Sequence, residues 1–89
     1  MQNEAEKTNK VKVEINNEEY IIKGPETVEH IQLVASYVDE KIKQLSKAHP
    51  NLNTYRIAVL TALNITNEML KLKQEYEEFL SLVDGEVKG

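Results

Sequence analysis

The chain has 89 residues, a formal net charge of −4 and no cysteine. That length allows one small domain with a marginal core, and the missing cysteines rule out disulfide staples, thiol catalysis and thiolate metal sites. The acidic balance argues against a nucleic-acid binder, which needs clustered Lys and Arg to displace counterions.

Residues 1–9 are polar and have little to bury, so a disordered tail is expected there. The opening lacks the apolar core of a signal peptide, and no later run is long enough to span a bilayer. A soluble, cytoplasmic protein without membrane insertion is the expectation.

Val11, Val13 and Ile15 alternate with Lys12 and Glu14, then Asn16-Asn17 precedes Tyr20 and Ile22. This predicts a β-hairpin over 10–23, with a two-residue turn that sets Ile15 against Glu18, Val13 against Tyr20 and Val11 against Ile22. Asparagine suits such a turn because it tolerates positive φ. An isolated hairpin is marginal in water, so its apolar face must lie on a helix.

Gly24-Pro25 ends the second strand, and Thr27 reads as the N-cap of a helix over 28–48, with Glu29 favoured by the helix dipole in the first turn. Val28, Ile31, Ala35, Val38, Ile42 and Leu45 give that helix one apolar face, widened by Leu33, Val34 and Tyr37. Pro50 makes 49–53 a connection, and Asn53 reads as the N-cap of a second helix over 54–84. At 1.5 Å per residue that helix is roughly 45 Å long, more than so small a head can cover. Residues 85–89 are expected to be a flexible end.

Along the long helix Ala58, Ala62, Ile65, Met69, Leu72, Tyr76, Phe79 and Val83 recur at alternating steps of four and three. A seam with that period seeks another helix. Its first half is expected to build the head of residues 10–53, where Ile57, Val59, Leu60 and Leu63 add apolar sides, and its second half to pair with another chain. The fold class is therefore α+β: an N-terminal β-hairpin, a short helix and a long C-terminal helix that forms a coiled-coil-like oligomer interface.

Polar residues within this helix leave alternatives open. Asn64 and Asn67 either bond across the interface and fix its register, or point outward between the faces. Lys41, Lys43, Lys47 and Arg56 form a stretch without an acid, whereas Gln74 to Val87 holds Glu75, Glu77, Glu78, Asp84 and Glu86 with no base. Either these are two solvated faces, or the basic stretch docks an acidic partner. Arg56 lies in a first turn, where its charge opposes the helix dipole; it is an ordinary exposed arginine or pairs with a partner's carboxylate.

No catalytic, metal or cofactor site is predicted. His30 and His49 have no second ligand at helical spacing, and Gly24, Gly85 and Gly89 stand alone rather than forming a phosphate loop. Asp39-Glu40 and Glu77-Glu78 are helix neighbours that diverge by about 100° and read as solvated surface.

Val11-Lys-Val-Glu-Ile, Tyr20-Ile-Ile-Lys-Gly24, Tyr37-Val-Asp-Glu-Lys41 and Arg56-Ile-Ala-Val-Leu-Thr-Ala-Leu-Asn-Ile-Thr-Asn-Glu68, in this order, resemble the ZapA family of bacterial cell-division proteins. The resemblance runs from about Lys10 to Leu82. It implies a hairpin-and-helix head, homodimers that pair further into tetramers, and no enzymatic activity. It also implies binding to the tubulin-like protein FtsZ, cross-linking and bundling of its protofilaments, and Z-ring assembly at midcell. The family often has glycine in the hairpin turn where this chain has Asn17, and its longer members have a longer C-terminal helix. With an acidic partner implied, the basic residues Lys41, Lys43, Lys47 and Arg56 become the candidate FtsZ contacts. The other reading is a generic coiled-coil structural or adaptor protein without an FtsZ role.

Overall fold

The computed structural model describes the backbone of residues 8–88 and the side chains of residues 8–84. Its elements are β1 (Asn9–Ile15), β2 (Glu18–Gly24), α1 (Val28–Ala48) and α2 (Thr54–Lys88). The strands form a two-stranded antiparallel sheet in the predicted register, with Val11 opposite Ile22, Val13 opposite Tyr20 and Ile15 opposite Glu18. Asn16 and Asn17 have φ of 55° and 67°, as a turn matched to the right-handed twist of the strands requires.

Period-two alternation puts Val11 and Val13 on the inner face, where they form a buried cluster with Ile31 and Ala35 of α1 while Ile15 and Ile22 pack at its edge. Tyr20 lies on the same strand pair but stays 46% exposed, its hydroxyl donating to Glu18 Oε1 at 3.1 Å.

Both helices start where the chain supplies a cap. Thr27 Oγ1 accepts from the His30 amide at 3.1 Å, and Asn53 Oδ1 accepts from the Arg56 amide at 2.9 Å. α1 closes with the His49 amide bonded to Leu45 O at 2.9 Å, immediately before Pro50.

α2 contributes two buried side chains to the head, Ile57 and Thr61. The Thr61 hydroxyl donates to Ile57 O at 2.8 Å, so its burial leaves that donor satisfied. The remaining helix runs past the head, and its 35 residues, about 52 Å at 1.5 Å each, account for the longest dimension of 54 Å.

Three boundaries differ from the sequence reading. Asn9 already belongs to β1 and Gly24 to β2, so the hairpin is longer at both ends; of the expected tail, residues 1–7 lie outside the described residues. The long helix, expected to stop at 84, continues through Gly85 to Lys88. An isolated glycine costs a helix about 1 kcal/mol but stops it only when it takes a left-handed conformation, and no described glycine has a positive φ.

The turn supplies a direct check on the hairpin. Asn17→Val should lower stability by about 1–2 kcal/mol, because a β-branched residue resists positive φ, while Asn17→Gly should leave it unchanged or slightly raised. Urea unfolding at a fixed protein concentration measures both.

Candidate oligomer and partner interfaces

Three stripes run along α2. The first, Ile57, Thr61, Asn64 and Glu68, faces α1. Glu68 fixes that direction: Tyr37 Oη donates to its Oε1, and Lys41 Nζ pairs with its Oε2. Lys41 Nζ also lies 5.8 Å from the centre of the Tyr37 ring, within cation–π range. The two hydrogen bonds, Lys41's the stronger influence, hold the Glu68 carboxyl below the usual carboxylate range, and the same contact raises Lys41.

Asn64 is half-buried within this stripe, and its Oδ1 is sealed from water with no donor among the described residues. A buried unpaired acceptor costs about 1–3 kcal/mol, so the α1–α2 junction is not an optimised apolar core. Asn67, paired with Asn64 in the sequence reading, is exposed and does not share this environment.

The second stripe is the predicted seam. Ala58 and Ala62 are exposed and Ile65 is half-buried, while Met69, Leu72, Tyr76, Phe79 and Val83 are between 42% and 67% exposed. Nothing in the described chain covers it. At the α1–α2 junction Ile65, Met69 and Leu72 join Tyr37, Glu68, Lys71 and Glu75 around an open groove of about 510 Å³. Exposed Leu33 and Val34 of α1 add apolar surface to the head. Apolar area of this extent on a small chain marks an interaction surface.

The third stripe starts at the head, where Leu52, Asn53, Tyr55, Arg56, Val59, Leu60 and Leu63 line a separate groove of about 650 Å³.

The four basic residues singled out in the sequence are not gathered into one patch. Lys41 is committed to Glu68, with only 17% of its side chain exposed. Lys43 bonds Asp39 Oδ2 at 3.0 Å, and Asp39 Oδ1 accepts from the Asn16 backbone amide at 2.8 Å. Lys43 therefore steadies the carboxylate that ties the hairpin turn to α1. Lys43 and Lys47 line one shallow surface with Glu40 and Gln44, whereas Arg56 lines the head-end groove of α2.

Asp39 and Glu68 are the carboxylates whose structural contacts sequence reasoning missed. Asp39 was assigned to solvated surface; the Asn16 amide, and after it Lys43, hold its carboxyl below the usual range. A signal for Glu68 was present in the step from Ile57 through Thr61 and Asn64, and in the i, i+4 spacing of Tyr37 and Lys41. Among the described residues no group of three or more His, Asp and Glu is placed to hold a metal ion, and no helix is long and apolar enough to cross a membrane.

Fold and surface together define an interaction module: a small head on a projecting helix with an unpaired apolar seam. The family model for cell division protein ZapA matches residues 11–87, and the chain belongs to that family. It is 43% identical over 83 residues to the cell division protein ZapA of Geobacillus sp. (strain WCH70), covering 93% of this chain and 94% of that protein. It is 44% identical over 80 residues to the ZapA of Geobacillus thermodenitrificans (strain NG80-2), covering 90% and 88% of the two chains. Among solved structures, a ZapA mutant dimer from Geobacillus stearothermophilus superposes with a TM-score of 0.71 at 39% identity, covering 89% of this chain and 92% of that one.

The lowered carboxyls give the junctions a pH dependence of defined sign. An unfolded chain protonates Glu68 and Asp39 before the folded one does, so their contribution is complete above about pH 5 and is lost as pH falls through the folded values. Glu68→Gln should therefore lose less stability than the unchanged protein between about pH 7 and about pH 3.5. Urea midpoints at the two pH values give the comparison, and equal losses would remove Glu68 from the account.

Proposed function

We propose that this protein is a non-enzymatic cell-division regulator that binds FtsZ, cross-links and bundles its protofilaments, and promotes Z-ring assembly at midcell in the cytoplasm. Family membership supports the division role, and the observation that carries the mechanism is the uncovered seam on α2. The seam makes the protein a homo-oligomer, and an oligomer with two-fold symmetry carries every partner-binding patch twice. Two weak sites joined rigidly bridge two filaments through effective concentration, without a new type of contact.

Copies pair antiparallel along the seam. Reversing one helix against the other sets Ala58 against Val83, Ala62 against Phe79, Ile65 against Tyr76 and Met69 against Leu72. Small residues at the head end then meet large ones at the far end, which keeps layer volume even. A parallel pair would stack Ala on Ala at one end and Phe on Phe at the other. The large seam side chains are already about half covered within one chain, so each gains about 0.8–1.5 kcal/mol on leaving water, a sum over two copies comparable to the about 4–15 kcal/mol that association costs.

Lys43, Lys47 and Arg56 supply the charge that meets acidic FtsZ, while Lys41 serves the Glu68 contact. Lys43 also holds Asp39, so a test of the partner surface should spare it. Lys47→Glu with Arg56→Glu should weaken co-pelleting with FtsZ and GTP, and flatten its salt dependence, without changing mass by light scattering. Equal pelleting would refute Lys47 and Arg56 as partner contacts, and absence of pelleting by the unchanged protein would favour the generic coiled-coil adaptor.

Leu72→Glu tests the seam away from the head: Leu72 is 67% exposed within one chain, so folding should persist while the oligomer falls to single chains. An unchanged mass of two or four chains would contradict the seam.

A further inference from the structure

The head-end groove of α2 has a composition that neither the seam nor the head core requires. Leu52 and Asn53 come from the connection and Tyr55, Arg56, Val59, Leu60 and Leu63 from the first turns of α2, so the groove is built by two segments rather than by a bare helix face. Tyr55 is 76% exposed and Leu63 63%, too much apolar surface for a site facing only water. Its only charge is positive: none of its lining residues is acidic, and α2 has no acid in its first turn. Among the described residues Arg56 makes no ion pair, although Lys12, Lys41 and Lys43 each do.

An unpaired guanidinium over an apolar floor is complementary to a carboxylate followed by apolar side chains. Arg56 presents a planar, bidentate donor to the carboxylate, and Val59 and Leu63, three and seven positions further along the helix, receive the apolar groups. The floor from Tyr55 to Leu63 is about 12 Å long at 1.5 Å per residue, room for about four residues of extended chain.

We propose that this groove docks a short acidic segment of the filament partner, with its carboxylate on Arg56 and its apolar side chains over Val59 and Leu63. The proposal rests on the FtsZ reading above and deepens it, because it makes partner contact part apolar rather than purely electrostatic. The occupant is a partner segment rather than a second copy: Arg56, Leu60 and Leu63 lie off the 4–3 seam along which copies pair.

Leu63→Ser tests it without touching a charge or a buried residue. The groove predicts roughly tenfold weaker co-pelleting with FtsZ and GTP, the loss persisting at raised salt, with the oligomer mass unchanged. Arg56→Gln should weaken pelleting chiefly at low salt, and the double variant should combine the losses. Pelleting by Leu63→Ser equal to that of the unchanged protein would overturn the groove and leave the FtsZ reading standing. A fall in oligomer mass would also overturn it, by showing that a second copy fills the groove. Failure of the unchanged protein to pellet would overturn the FtsZ reading and the groove with it.

Discussion

The helix that closes the head is much longer than the head, and the rest of the structure depends on that mismatch. Two strands of seven residues and one helix of 21 cannot cover an α2 of 35. Ile57 and Thr61 are its buried residues among those whose side chains are described, while the seam beyond Ile65 keeps large apolar side chains in water. The hydrophobic effect is roughly proportional to area, so this surface drives pairing unless charge or geometry forbids it. Here both permit it: charges lie on either side of the seam rather than within it, and its four-three repeat is symmetric under reversal of the helix.

Two carboxylates turn the pairing helix into a device that positions heads. Asp39 joins the β1–β2 turn to α1, and Glu68 joins α1 to α2. Both contacts lie at the edge of packed surface, where an ion pair supplies orientation more than net stability. Their removal should leave the elements folded but let the head move on the rod. For the cross-linking role proposed above that matters, because the head's angle would set the spacing between whatever the two copies hold.

The local grammar was legible in the sequence. Asn16-Asn17 encoded the turn and register, Thr27 and Asn53 encoded the helix starts, and Pro50 encoded the break, because each acts through its own backbone within a few residues. The seam was legible as a pattern, but its assignment was not: helical periodicity does not tell the stripe of Ile57, Thr61, Asn64 and Glu68, which meets α1, from the adjacent stripe of Ala58, Ala62, Ile65 and Met69, which is mostly uncovered. Those stripes are about 100° apart, and only the position of α1 separates them. The Lys41–Glu68 contact was hidden for the same reason. The acids adjacent in sequence, Asp39 and Glu40, do not pair with it, and the carboxylate that occupies it lies 27 residues away.

The absence of cysteine makes the central claim directly measurable. In an antiparallel pair Ala62 of one copy faces Phe79 of the other, whereas within one chain the two lie about 26 Å apart on the same helix and cannot bond. A variant carrying Ala62→Cys and Phe79→Cys should form covalent dimers under mild oxidation at concentrations where it is oligomeric, and Ala62→Cys alone should not. Covalent dimers from Ala62→Cys alone would show a parallel pair, and none from the double variant would contradict the seam.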